Sequence, residues 1–194
     1  MGEERLKGEW FNDMPRSEWI YRLIERLRGQ EKEDSRIRAL IALGESGDPR
    51  AVRPLIECSY DENAVIRRYA TEGLFRLRSV RGVEALSHRL KDENEDRKTR
   101  KRAAEALGEI RSYSALEVLI ERLEDYGEDP SIRIFAAEAL ARAGTKRTFQ
   151  ILQGCLEDEN PSVREAAEEA LHTSGISKEM EGNGYISYST TGGR

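Results

Sequence analysis

One arginine recurs five times along the chain at nearly constant spacing. Arg36, Arg67, Arg100, Arg133 and Arg164 stand 31, 33, 33 and 31 residues apart. Three residues after each is an alanine: Ala39, Ala70, Ala103, Ala136 and Ala167. Six after it comes a small residue, Ala42, Gly73, Ala106, Ala139 or Ala170, and seven after it always a leucine. Positions +3, +6 and +7 fall on one face of an α-helix, and small side chains there let neighbouring helices approach closely. A repeat of this period cannot bury its apolar face alone, so copies must stack.

A second apolar set precedes each of these helices, as in Trp19, Ile20, Leu23, Ile24 and Leu27 or Leu116, Leu119, Ile120 and Leu123. Its spacing is again helical. Each unit is therefore helix A, turn, helix B, and five units predict ten helices. Asp48-Pro49, Asp129-Pro130 and Asn160-Pro161 each supply an N-cap acceptor followed by proline at the first helical position. Gly44 and Gly108 follow the helix-B leucines and are expected at C-caps. The expected organisation is an N-terminal capping extension at 1–15 carrying Trp10 and Phe11, then repeats over 16–174, and a mobile glycine-rich tail at 175–194. The repeats are placed at about 16–45, 48–77, 80–109, 113–142 and 145–173.

Composition narrows the function classes. Charged residues make up 36% and apolar residues 38% of the 194, with a net charge of −5. No run approaches the 18 or so apolar residues of a membrane span, so no membrane partner is expected. The start, Met1-Gly2-Glu3-Glu4, lacks the order of a secretory signal, and the cytoplasm is the expected compartment. Cys58 and Cys155 make neither a disulfide framework nor a zinc cluster. They occupy equivalent helix-A positions, three repeats apart, and are expected to be buried.

The frame [Val/Ile]-Arg-x-x-Ala-x-x-Ala-Leu-Gly, with its leading Leu-x-x-x-Leu-x-Asp, resembles HEAT repeats, in particular the short HEAT-like repeats of phycobilin-lyase subunits. The resemblance covers roughly residues 16 to 173. It implies an all-α, right-handed α-solenoid, a superhelix of five HEAT-like helix-turn-helix repeats. It also implies a structural ladder between successive repeats. The ladder joins Arg36, Arg67, Arg100, Arg133 and Arg164 to turn aspartates Asp61, Asp92, Asp125 and Asp158. Fold does not specify function, which lives in sites grafted on it.

Candidate chemistry is sparse. Arg97, Lys98, Arg100, Lys101 and Arg102 form the one dense basic run, but Asp92, Glu93, Glu95 and Asp96 precede it. Their charge cancels much of its field, and no aromatic residues interleave to stack on bases, so nucleic acid is disfavoured. His88 and His172 are in no His-Glu pair, unlike the iron-binding pairs of the HEAT-like deoxyhypusine hydroxylases. No catalytic residue, metal ligand, cofactor or small-molecule substrate is indicated.

Helix-B positions +1, +5 and +8, with +2 and +9 beside them, point away from the core stripe. By the resemblance that side lines the concave surface. Ile37, Ile41, Tyr69, Phe75, Ile134 and Phe135 fall there among charged neighbours that include Arg68 and Arg102. Aromatic and isoleucine side chains flanked by arginine have the composition of a protein-binding hot spot. The plain alternative is that they tuck between repeats. The expected function is a non-enzymatic protein–protein interaction scaffold or adaptor, its partner another protein or peptide segment. The alternative that the resemblance implies is an accessory or lyase-type subunit in bilin or other chromophore attachment.

Overall fold

A computed structural model describes residues 15–28 and 31–173; of the extensions expected at 1–15 and 175–194, all but Pro15 lie outside the described residues. Every element among the described residues is helical. The described residues form ten α-helices: α1 (Arg16–Arg28), α2 (Glu33–Glu45), α3 (Val52–Cys58), α4 (Ala64–Leu77), α5 (Val83–Lys91), α6 (Arg97–Ile110), α7 (Tyr113–Glu124), α8 (Pro130–Ala143), α9 (Lys146–Gly154) and α10 (Pro161–Thr173). Odd numbers are the A helices and even numbers the B helices. Short 3-10 turns lead into α3 and α5 and extend α9.

The chain divides into two compact units, Met1–Ala115 and Leu116–Arg194. In the first, the B helices α2, α4 and α6 pack on one another in order, and α1, α3 and α5 each pack against the B helix that follows. In the second, α8 packs on α10, and α9 lies against both. The repeating stripe is the core of each unit. Its alanines Ala39, Ala70, Ala103, Ala136 and Ala167 are fully buried, and the +7 leucines nearly so.

Small residues set the helix spacing. A Cβ added to Gly44 would lie 2.7 Å from the Gly73 Cα, and one on Gly73 would lie 2.8 Å from Leu55 Cδ2. The two glycines therefore let α2 and α4 touch backbone to backbone. Gly44 and Gly108 are thus not the expected C-caps; both lie inside their helices, buried.

The B helices after repeats one to four reach a left-handed residue eleven positions past the ladder arginine. These residues are Gly47, Arg78, Arg111 and Gly144, at φ 64, 48, 55 and 60°. Two of the four are arginine, which hides the shared conformation from a search for glycine. The N-caps follow the proline signals, since Asp48, Asp129 and Asn160 accept from Arg50, Ser131 and Ser162 amides at 2.9, 2.7 and 2.9 Å. Asn63 and Asp96 cap α4 and α6 in the same way.

Candidate functional site

The A-to-B turns come in two lengths. In repeats two and five the ladder arginine stands six positions after the turn aspartate (Asp61, Asp158); in repeats three and four it stands eight positions after it (Asp92, Asp125). The two extra residues include Glu95 or Glu128, just before the N-cap. In the short turns Asp61 and Asp158 accept the amides of the N-caps Asn63 and Asn160, each at 2.9 Å. The ladder arginines of these repeats, Arg67 and Arg164, donate to carbonyls of their own turns: Asp61 and Glu62 at 3.0 and 2.9 Å, Asp158 and Glu159 at 2.6 and 3.2 Å. In the long turns the equivalent Arg100 and Arg133 reach back instead, donating from Nε to Leu90 and Leu123 carbonyls, each at 2.8 Å. The short-turn arginines thus cover carbonyls of the turn itself, and the long-turn arginines cover carbonyls in the last turn of helix A.

Turn length also decides which acid the preceding repeat's arginine meets. Arg36 donates to Asp61 Oδ2 at 2.5 Å, and Arg133 forms a fork with both oxygens of Asp158. Arg67 finds Glu95, not Asp92, through Nε at 2.6 Å and Nη2 at 3.3 Å. Asp92 is held instead by Arg89 of its own helix A at 3.4 Å, and the same arginine reaches Glu95 at 2.6 Å. Repeat four copies this, with Arg122 3.2 Å from both Asp125 and Glu128. Three residues before the aspartate the long-turn repeats thus carry Arg89 or Arg122, where the short-turn repeats carry Cys58 or Cys155.

The electrostatics follow. Arg133 holds the Asp158 carboxyl below the usual carboxylate range. Burial works the other way at Asp61, but Arg36 and the Asn63 amide hold its carboxyl low. Burial pushes the Cys58 thiol up, and burial with Asp158 nearby pushes Cys155 up to about 11. Both cysteines are free and buried. Among the described residues no group of three acidic, histidine or cysteine side chains could hold a metal.

The B-helix face holds the residues expected to bind a partner. Ile37, Ile41, Tyr69, Phe75, Ile134 and Phe135 are all half-buried, with Arg68 exposed. Ile134 and Phe135 belong to the second unit and the others to the first. The two arginines stand over aromatic rings: Arg68 over Tyr69 at 5.2 Å and Arg102 over Phe75 at 4.6 Å. Arg102 also donates to Glu72 at 2.8 Å and Glu105 at 2.7 Å. Arg76 joins Glu72 at 3.1 Å and Glu45 at 3.6 Å. An ionic chain therefore runs from α2 through α4 to α6, and it fixes the side chains around the apolar patch.

Helical periodicity does not flag the most exposed large apolar side chains. Among the described residues Tyr21, Tyr60, Val80, Tyr113 and Tyr126 are 57, 47, 59, 73 and 68% exposed. Arg50, Arg89 and Arg133 stand over Tyr21, Tyr60 and Tyr126 at 5.2, 5.7 and 4.7 Å. Glu95 was also outside the expected ladder; its signal was the spacing of 33 in place of 31. No described helix is long and apolar enough to cross a membrane.

Comparison with known proteins bears on the fold. The complex of CpcE and CpcF of phycocyanin lyase from Nostoc sp. PCC7120 contains a similar chain. It is 23% identical with a TM-score of 0.61, and the match covers 83% of this chain and 68% of that one. A designed armadillo repeat protein in complex with the peptide (KR)4 is similar at 17% identity and TM-score 0.55, over 78% and 80% of the two chains. An engineered protein is similar at 19% identity and TM-score 0.53, over 81% and 79%. No curated protein matches the chain in sequence. The sequence pattern of the family described as HEAT repeats matches residues 20–99 and again residues 93–172. The fold is accordingly an α-solenoid, and the chain belongs to the HEAT-repeat family.

Proposed function

We propose that the chain is a non-enzymatic protein-binding module whose partner segment lies along the B helices, the concave side of a HEAT-type solenoid. One observation carries this reading. On α2 and α4, Ile37, Ile41, Tyr69 and Phe75 stay only half-buried on the face turned from the core, while Arg68 and Arg102 are held over the two rings. A patch already fixed by its neighbours loses little side-chain freedom on binding, which favours affinity. The armadillo-type neighbour bound to a peptide supports the same use of a helical solenoid.

The test pairs circular dichroism with affinity capture and mass spectrometry. Tyr69→Ala and Phe135→Ala should keep native helicity and lose the captured partner, by about 2 kcal/mol or more together on the hot-spot scale. Capture at full strength by both folded variants would overturn the reading. A loss of helicity in both would assign the side chains to the core. The likeness to a lyase subunit supports a second reading, accessory work in chromophore attachment. Mixing the protein with a bilin and recording its absorbance separates the two, because only the second expects a spectral change.

A further inference from the structure

We propose that a groove between α8 and α10 receives an arginine side chain of the partner peptide. The proposal rests on the B-helix reading above and adds the chemistry of what that face takes within Leu116–Arg194. The groove has a volume of about 450 Å3. Ala141 of α8 and Ala166 and Ala170 of α10 form its walls, and Glu138 and Glu169 stand along it from the two helices. Both glutamates lie five residues past a ladder arginine, so they are in register on neighbouring helices.

The first unit shows what such a frame holds. Its equivalent helices are α4 and α6, and the equivalent glutamates are Glu72 and Glu105. Between them lies the guanidinium of Arg102, bonded to both and stacked 4.6 Å from the Phe75 ring. Arg102 is two residues past its ladder arginine, where α10 has Ala166; Phe75 is eight past its own, where α8 has Ala141. The groove is the same pair of carboxylates with the guanidinium and the ring both replaced by methyl groups. A partner arginine would lay its methylene stem on the alanines and its head between the carboxylates.

The charges agree with a cation. Ala141 and Arg142 of α8 and Ala170 and Thr173 of α10 carry one end of the groove to the last turns of both helices, where the negative ends of their dipoles lie. Arg142 is the one cation lining it and already has a contact of its own. Glu138 also has one, whereas Glu169 is exposed and has no ion-pair partner among the described residues. An acidic or purely apolar segment would leave the carboxylates facing like charge or stripped of water.

The experiment measures anisotropy of fluorescein-labelled octa-arginine with the full chain at about 0.15 M salt. Glu138→Gln with Glu169→Gln should weaken binding tenfold or more. Ala166→Arg, which supplies the guanidinium from within, should weaken it as much. The pair Glu157→Gln and Glu168→Gln removes equal charge from exposed positions outside the groove and off the B-helix binding face, and should change binding less than threefold. Equal binding by the groove variants, or an equal loss in the control pair, overturns the proposal. So does a wild-type chain that ignores the peptide yet forms a dimer that Ala166→Arg abolishes, since the occupant is then a second copy. If octa-arginine fails while Tyr69→Ala still releases the captured partner, this inference falls and the binding-face reading stands.

Discussion

Repeats two and five solve the A-to-B turn with two residues fewer than repeats three and four, and the difference reorganises every charge around the ladder. The short turn offers one aspartate, which both accepts the N-cap amide and neutralises the arginine of the preceding repeat. The long turn separates these duties. Its aspartate takes the loop amide, as Asp92 does for Asn94 at 3.0 Å, and an added glutamate takes the ladder arginine. The extra carboxylate has its own cation, Arg89, in the place where the short-turn repeats bury a cysteine. Turn length, arginine-or-cysteine and aspartate-or-glutamate change together because a second buried carboxylate requires a second buried cation.

The strongest way to break the comparison is to remove the glutamate. Glu95 has a fully buried side chain shared by Arg67 and Arg89. Glu95→Ala leaves two guanidinium groups short of their carboxylate and should cost about 3–5 kcal/mol, whereas Cys58→Ala should cost about 1 kcal/mol for a small lost side chain. Urea unfolding of both variants checks this, and equal losses would dissolve the distinction between the two turn classes.

A smaller effect sharpens the short-turn side. Asp158→Asn keeps the shape but weakens the fork to Arg133, and should cost about 1.5–3 kcal/mol at neutral pH. The native carboxyl titrates below its unfolded value, so its stabilisation is present above about pH 4 and is lost as pH falls through the lower native value. Melting temperatures of wild type and variant should converge in that acid range. A gap that persists at pH 2 would trace the loss to packing instead of charge.

The smallest expected effect concerns what the two classes share. Gly144 ends α8 in the left-handed conformation that Arg78 and Arg111 also adopt. Gly144→Arg should therefore fold, at a cost of about 1 kcal/mol for the Cβ in that region. A loss several times larger would mean that this helix end depends on more than its backbone angle.

The helix pairs were legible in the sequence because alanine and leucine at +3, +6 and +7 repeat without exception, and that face is the core. The ladder was half legible. Arg36 and Arg133 meet their expected aspartates, but Arg67 meets Glu95, because a count of arginines registers the two added residues without saying which carboxylate they carry inward. Gly44 looked like a helix end by its place after Leu43. Only the approach of α4 shows that it is a contact point inside α2. The surroundings of the residues proposed to bind a partner were the least legible. Ile41 and Phe75 point away from the buried stripe by helix phase yet are half-buried, and phase alone does not say which neighbours cover them.

The ladder arginine accepts the next repeat's acid in either form. Arg67 passes from a short-turn repeat to a long-turn one, and Arg133 from a long-turn repeat to a short-turn one. The joint between modules is thus indifferent to their type, like a socket that takes two plugs. A helix pair copied or deleted at either kind of joint would still find a carboxylate for its arginine, so a chain of this kind could lengthen or shorten by gene duplication without redesigning those seams.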